Sequence, residues 1–370
     1  MDISKRDSSI DMVRIFAVFS VISIHFFLNN GFYTEPVIGK KMYLMVIVRS
    51  FFMICVPLFI LLTGYLMSHK TLSAKYYKGI KKTLAIYVLA SIANIIYKHV
   101  IVHDYYDIKR AILETLNFQA ANYSWYIEMY IGLFLMIPFL NLVYNGLKSK
   151  RGKQVLILTF LFLTAVPAIT NSFVLTEEGW WSNPASSNAY NKLVPSWWLE
   201  IYPLTYYFIG CYIREFGFPL NKLKRLALLV ITIIAVGAYN CYRSHGAAFQ
   251  YGKWADWHSP FTVILTVLVF SIIYNTKWLL RLPATYKKVI KYLSDLTLGA
   301  YLVSYIFDNR FYSQLNSKIP SVPDRLKYYF VIVPLVFVCS MLLSALLTLI
   351  YDFTCIICSA IAGLFKTQKS

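Results

Sequence analysis

Apolar residues run through this chain in long blocks, separated by short basic, polar or glycine-rich stretches. Ten blocks can be drawn, at approximately 11–30, 42–67, 83–99, 123–146, 155–171, 197–213, 226–242, 259–276, 296–313 and 326–354. A helix of about 20 apolar residues crosses the hydrocarbon of a bilayer, and it satisfies its own backbone groups while doing so. The pattern therefore predicts an all-α fold, a polytopic transmembrane helix bundle of about ten helices. Blocks 83–99 and 155–171 are short for a crossing. Blocks 42–67 and 326–354 are long enough to tilt or to run past the lipid.

Composition strengthens this reading. The chain has 370 residues, of which 58% are hydrophobic and only 14% charged, where a soluble domain carries about 25% charged residues. The mean hydropathy is +0.56. No hydrophilic stretch is large enough for a separate soluble domain, so residues 1–370 read as one membrane-embedded domain. Lys5 and Arg6 precede the first block, and Arg14 stands near its start, as basic residues precede the apolar core of a secretory signal. The following "NNGFYTEP" offers no small-x-small cleavage site, and the block reads as a retained first helix. Of the six cysteines, Cys355 and Cys358 have C-x-x-C spacing at the end of an apolar block, with no second ligand pair. That favours packing over a disulfide framework or a metal site.

Charge orients the bundle. With the N-terminus inside, segments 1–14, 68–82, 147–154, 214–225, 277–295 and 355–370 share one side and hold 23 of the 36 Lys and Arg. The positive-inside rule then predicts both termini in the cytoplasm. It also accounts for the net charge of +19 without a nucleic-acid partner. The opposite side receives "GWWSNPASSNAYN" and "RSHGAAFQYGKWADWH", which are aromatic and polar. No internal repeat of the transporter kind is visible.

The first block carries the most informative pair, Arg14 and His25 in "RIFAVFSVISIH". Eleven residues apart, they share a helix face, separated by roughly 16 Å along the axis. Arg14 would sit at the cytoplasmic boundary and His25 well inside the membrane, where an ionisable side chain needs a partner or an aqueous cavity. Asp11, one turn before Arg14, can pair with it. Alone, Arg14 could be a topology anchor and His25 a hydrogen-bonded core histidine. Together they suit a long substrate, anionic at one end for Arg14 and reactive at the other for His25 as general base.

Other candidates are less sharply defined. Glu128 can orient a substrate hydroxyl, or lie exposed at the outer headgroups. Arg49 can pair with Glu128, face an outer cavity, or snorkel to the interface. Trp180, Trp181, Trp197, Trp198, Trp254 and Trp257 cluster in the outer loops or at their edges, where they can offer aromatic faces to a sugar ring or form an interfacial belt. Asp256 and His258 beside Trp254 and Trp257 make that loop a secondary candidate for a binding site. Asp308 with Arg310 reads as a local ion pair at the outer face. No H-E-x-x-H, Walker-type loop or G-x-S-x-G is present, so chemistry without a metal is expected.

"IDMVRIFAVFSVISIHF" resembles the first helix of the acyltransferase family 3 membrane proteins, in which Asp-x-x-Arg-x-x-Ala is followed by a histidine. Asp11, Arg14, Ala17 and His25 match. "VPLFILLTGYLM" resembles that family's second motif through Val56, Pro57, Phe59, Gly64 and Tyr65, with Thr63 in place of the usual serine. Lys75, Lys78, Lys81 and Lys82 follow where the family tends to have arginines. "YSWYIEMYIGLFLMIPFL", "YPLTYYFIGCYI" and "LSDLTLGAYLVS" resemble later segments, with Ser304 where a histidine is common. The resemblance implies a multi-pass O-acyltransferase of the bacterial cell membrane. It implies an acyl-CoA donor on the cytoplasmic side, acetyl-CoA foremost, and as acceptor a hydroxyl of a cell-envelope polysaccharide or its lipid-linked precursor. In that frame Asp11, Arg14, Lys78, Lys81 and Lys82 bind the donor, with His25 and Glu128 catalytic. Arg49, Trp125, Tyr126, Trp254 and Trp257 would then contact the acceptor. A transporter or flippase for a glycan precursor, with no bond chemistry, would also place charges inside the membrane.

Overall fold

A computed structural model describes residues 7–274 and 276–367. Among these residues the fold is helical throughout, with no strand and one isolated bridge between Pro36 and Ala248. Lys5, Arg6 and Lys369, which contribute to the charge asymmetry, lie outside the described residues. The helices are α1 (Ser8–Asn29), α2 (Gly39–Phe52), α3 (Cys55–Met67), α4 (Ala74–Lys78), α5 (Lys81–Val100), α6 (Ile108–Leu116), α7 (Trp125–Gly146) and α8 (Lys150–Thr164). They continue as α9 (Val166–Thr170), α10 (Tyr202–Phe216), α11 (Lys222–Ser244), α12 (Pro260–Tyr274), α13 (Lys277–Leu280), α14 (Ala284–Lys318), α15 (Val322–Arg325) and α16 (Tyr329–Thr367).

Every apolar block falls on a helix, and eight helical spans are long and apolar enough to cross a membrane. The two blocks that do not meet that measure are α10, with 15 residues, and α14, whose 35 residues include many polar ones. Both lie against other helices: α10 packs on α3, and α14 packs on α1, α5 and α16. A helix shielded by its neighbours does not need a lipid-compatible surface, so hydropathy underrates it.

Local chemistry sets the breaks. The 42–67 block divides at Met53–Ile54 because Pro57, in the first turn of α3, has no N–H to offer the Met53 carbonyl. The Cys55 thiol donates to that carbonyl instead, at 3.9 Å. Side-chain caps fix helix starts, as at Asp7, whose carboxylate accepts from the Ser9 N–H at 2.9 Å, and Asn221, which accepts from Lys224. Glycines let α3 and α10 touch backbone to backbone. A Cβ on Gly64 would collide with the Tyr207 carbonyl, and one on Gly210 with the Leu61 carbonyl.

Candidate active site

Helix α1 is central, contacting α3, α14 and α16. Its buried face includes Asp11, Val21 and His25. The His25 Nδ1 lies 2.9 Å from Asp308 Oδ2, with both side chains buried. Asp308 therefore does not form the surface pair expected from its neighbour Arg310. It turns inward from α14 while Arg310 stays exposed, because residues two apart on a helix point in different directions. Ser304, one turn earlier, is also buried and donates to the Tyr301 carbonyl at 2.9 Å. Tyr123 covers the imidazole, with ring centroids 3.7 Å apart and planes 32° apart. Asn29 donates to the His25 carbonyl at 2.8 Å and reaches the Tyr123 hydroxyl at 3.4 Å. Tyr301 in turn donates to the Tyr123 carbonyl. Imidazole position is thus fixed from three elements, and Nε2 is the ring nitrogen left for a reactant.

His25 lines a cavity of about 470 Å³ with Arg49, Cys55, Tyr123, Trp125 and Trp257. A second cavity of about 380 Å³ begins at Arg14 and Lys70 and runs between Phe59, Thr63, Tyr126 and Tyr130. Val21, Val56 and Tyr301 belong to the walls of both. Arg14 and His25 thus line two adjoining cavities with part of their walls in common, and both project from the one helix α1. The Arg14 guanidinium lies 3.5 Å from the buried Asp11 carboxylate and keeps about a third of its side-chain surface exposed.

The remaining expected residues are distributed as follows. Tyr126 is in the wall of the Arg14 cavity. Lys78, Lys81 and Lys82 are exposed and outside that wall, Lys82 facing the Tyr351 ring at 5.6 Å. Lys70 supplies the second cation instead. Arg49 is buried, donating to the Tyr33 hydroxyl at 3.0 Å and to the Ala255 carbonyl, with the Phe249 ring 4.8 Å from its guanidinium. Trp125 and Trp257 stack at 4.7 Å on the His25 cavity. Glu128 is exposed in a different, adjoining cavity. Trp254 is buried beneath the Arg243 guanidinium at 3.7 Å, outside these walls. Asp308, Tyr123 and Tyr301 are the residues that sequence reasoning missed, while Lys70 belongs to the 70–82 loop whose lysines it expected near a phosphate. Only Asp308 carried a signal, as a lone carboxylate in the apolar run "GAYLVSYIFD".

The arrangement offers two cations for an anionic group in one cavity and an oriented imidazole in the adjoining one. Among the described residues no three His, Cys, Asp or Glu side chains gather as a metal site. One family model, described as an acyltransferase domain of the third acyltransferase family, matches residues 7–350. No curated protein and no solved structure matches the chain.

Proposed function

We propose how this chain, which belongs to acyltransferase family 3 and is a multi-pass membrane acyltransferase, carries out its reaction: an acyl group, acetyl from acetyl-CoA in the simplest case, passes to a hydroxyl of a cell-envelope polysaccharide or its lipid-linked precursor. The observation that carries this reading is that a cavity lined by Arg14 and Lys70 adjoins one lined by His25, with Val21, Val56 and Tyr301 in the walls of both. A coenzyme A thioester is anionic at its nucleotide end and bears its acyl group on a long, narrow arm. The roughly 16 Å between Arg14 and His25 along α1 suits that arm.

In this reading Arg14 and Lys70 face the cytoplasm and hold phosphate oxygens. Asp11 keeps the guanidinium in place. The donor supplies an acyl carbonyl and a thiolate leaving group. His25 Nε2 accepts the proton of the acceptor hydroxyl as its oxygen attacks. Asp308, accepting from Nδ1–H, fixes the tautomer and stabilises the imidazolium. The new C–O bond replaces the C–S bond, and His25 returns its proton to the departing sulfur. Trp125 and Trp257 shape the acceptor side.

The test is acyl transfer in membranes from cells carrying the wild-type chain, Arg14→Ala or His25→Ala at equal abundance, with mass spectrometry of envelope glycans. Loss of one acyl mass unit in His25→Ala and a lowered yield of acylated glycan in Arg14→Ala are the expected results. Near-wild-type acylation by both would sink the proposal. Transport of a labelled lipid-linked sugar, with no rise in melting temperature under saturating acetyl-CoA, would favour a flippase instead.

A further inference from the structure

Beside the His25 cavity lies another of about 690 Å³, which shares Trp125, Tyr251 and Trp257 with it. Two kinds of surface form its wall. The first is an aromatic slab: Trp125 stacks on Trp257 at 4.7 Å and 24°, and Tyr202 continues the slab at 6.2 Å and 26°. The Tyr206 hydroxyl donates to the Trp257 carbonyl at 2.8 Å and holds the slab in place.

The second surface is acidic. Glu128, Glu200 and Asp256 enter the wall against one lysine, Lys253, and one histidine, His258. Lys253 donates to Glu200 at 2.8 Å and holds its carboxyl below the usual carboxylate range. Asp256 Oδ1 accepts from the His258 backbone N–H at 2.9 Å and lies 2.8 Å from its Nδ1. The other ring nitrogen, Nε2, has no hydrogen-bond partner, although His258 is only 3% exposed and lines the cavity. Glu200 Oε2 is 3.5 Å from it. A buried polar atom left unsatisfied in a cavity wall is where a ligand group would complete the hydrogen bonding.

We propose that this cavity seats a sugar unit bearing a free, protonated amine, adjacent to the hydroxyl that is acylated; the proposal rests on the reading of the chain as a glycan acyltransferase. The apolar face of the ring lies on the Trp125–Trp257–Tyr202 slab. The ammonium is drawn to Glu128 and Glu200 and to the aromatic faces. His258 Nε2 takes a ring hydroxyl. The shared rim of Trp125 and Trp257 leads the neighbouring hydroxyl to His25. An anionic sugar is refused, since it would face three carboxylates. This preference opposes the net charge of +19 on the whole chain, so bulk electrostatics cannot mimic it.

The experiment is calorimetric titration of the purified full-length protein in detergent, at mildly acidic pH where the amines are protonated. The probes are triglucosamine, tri-N-acetylglucosamine and trigalacturonate. Triglucosamine should bind at least tenfold tighter than its acetylated counterpart, with trigalacturonate weakest. Glu128→Gln combined with Glu200→Gln, both at exposed side chains, should erase that preference and leave the melting temperature unchanged. Equal binding of triglucosamine and tri-N-acetylglucosamine, preferred binding of trigalacturonate, or a preference that survives the double substitution would each overturn the proposal. The melting shift with acetyl-CoA, read on the same samples, separates the two ideas. Its absence in the wild-type protein counts against the acyl-CoA reading, whereas the saccharide titration decides this one.

Discussion

At the residue scale the proposed chemistry concentrates on one imidazole and the carboxylate beside it. Asp308→Asn keeps the shape of the 2.9 Å contact but offers an N–H where Nδ1–H needs an acceptor. The tautomer then presents the wrong nitrogen to the reactant. Single-turnover acyl transfer should fall by about 1,000-fold, while acetyl-CoA still raises the melting temperature as in the wild type. A loss of both signals would show that Asp308 acts on folding alone. In the adjoining cavity, Arg14→Gln should raise the donor KM by about tenfold or more, the cost of removing a charged hydrogen bond of roughly 1.5–3 kcal/mol. The turnover number at saturating donor should change little. Lys70→Gln should act in the same direction and more weakly, and Lys81→Gln, outside the cavity wall, should leave the donor KM unchanged. Steady-state kinetics on the four proteins checks this ordering.

At the element scale the site depends on how closely α3 and α10 approach. Val56 and Phe59 of α3 line the path, and their depth is set by the backbone contacts of Gly64 and Gly210. Gly210→Val forces these helices apart. Overpacking of this kind costs about 1–3 kcal/mol, so the melting temperature in detergent should drop measurably. Gly132→Ala in α7 is the control, since a Cβ there meets nothing within 4 Å; a helical Gly→Ala change in open space should hold or raise stability by up to about 1 kcal/mol. Equal destabilisation by both substitutions would contradict the packing described. The break between α2 and α3 belongs to this scale too. Pro57 frees the Met53 carbonyl, and Met53, Cys55 and Val56 all reach the His25 cavity, so the helix interruption lies at the wall of the site.

At the scale of the whole molecule the proposed function needs a path between the two cavities that share Val21, Val56 and Tyr301 in their walls. Val56→Phe should fill the space between the two cavities without touching Arg14 or His25. Acyl transfer to glycan should be lost while the melting shift with acetyl-CoA persists. Transfer at the wild-type rate through a correctly folded Val56→Phe protein would show that donor and acceptor do not meet across Val21, Val56 and Tyr301. The long α14 explains why such a path can exist within a membrane protein. It carries Ser294, Thr297, Ser304 and Asp308 as buried residues, which is tolerable because α1, α5 and α16 cover it, Thr297 and Ser304 donate to carbonyls of their own helix, and Asp308 meets His25.

The sequence by itself determined the helical, membrane-spanning character, since apolar blocks of bilayer length leave few alternatives. It also determined the common face of Arg14 and His25, because both lie on one helix and helical geometry is local. The first-helix motif that marks the family was legible for the same reason. Lys78, Lys81 and Lys82 looked equivalent to Lys70 in the sequence, and only the packing of α3, α5 and α7 put Lys70 in the cavity wall. Glu128 is close in sequence to Trp125 and Tyr126, yet each of the three lines a different set of cavities, because successive helical positions face different neighbours. The partner of His25 is 283 residues away. No periodicity reaches that far. Which carboxylate meets that imidazole was decided by the tertiary packing of α14 against α1, where an ion or dipole removed from water must find its complement or raise the free energy of the fold.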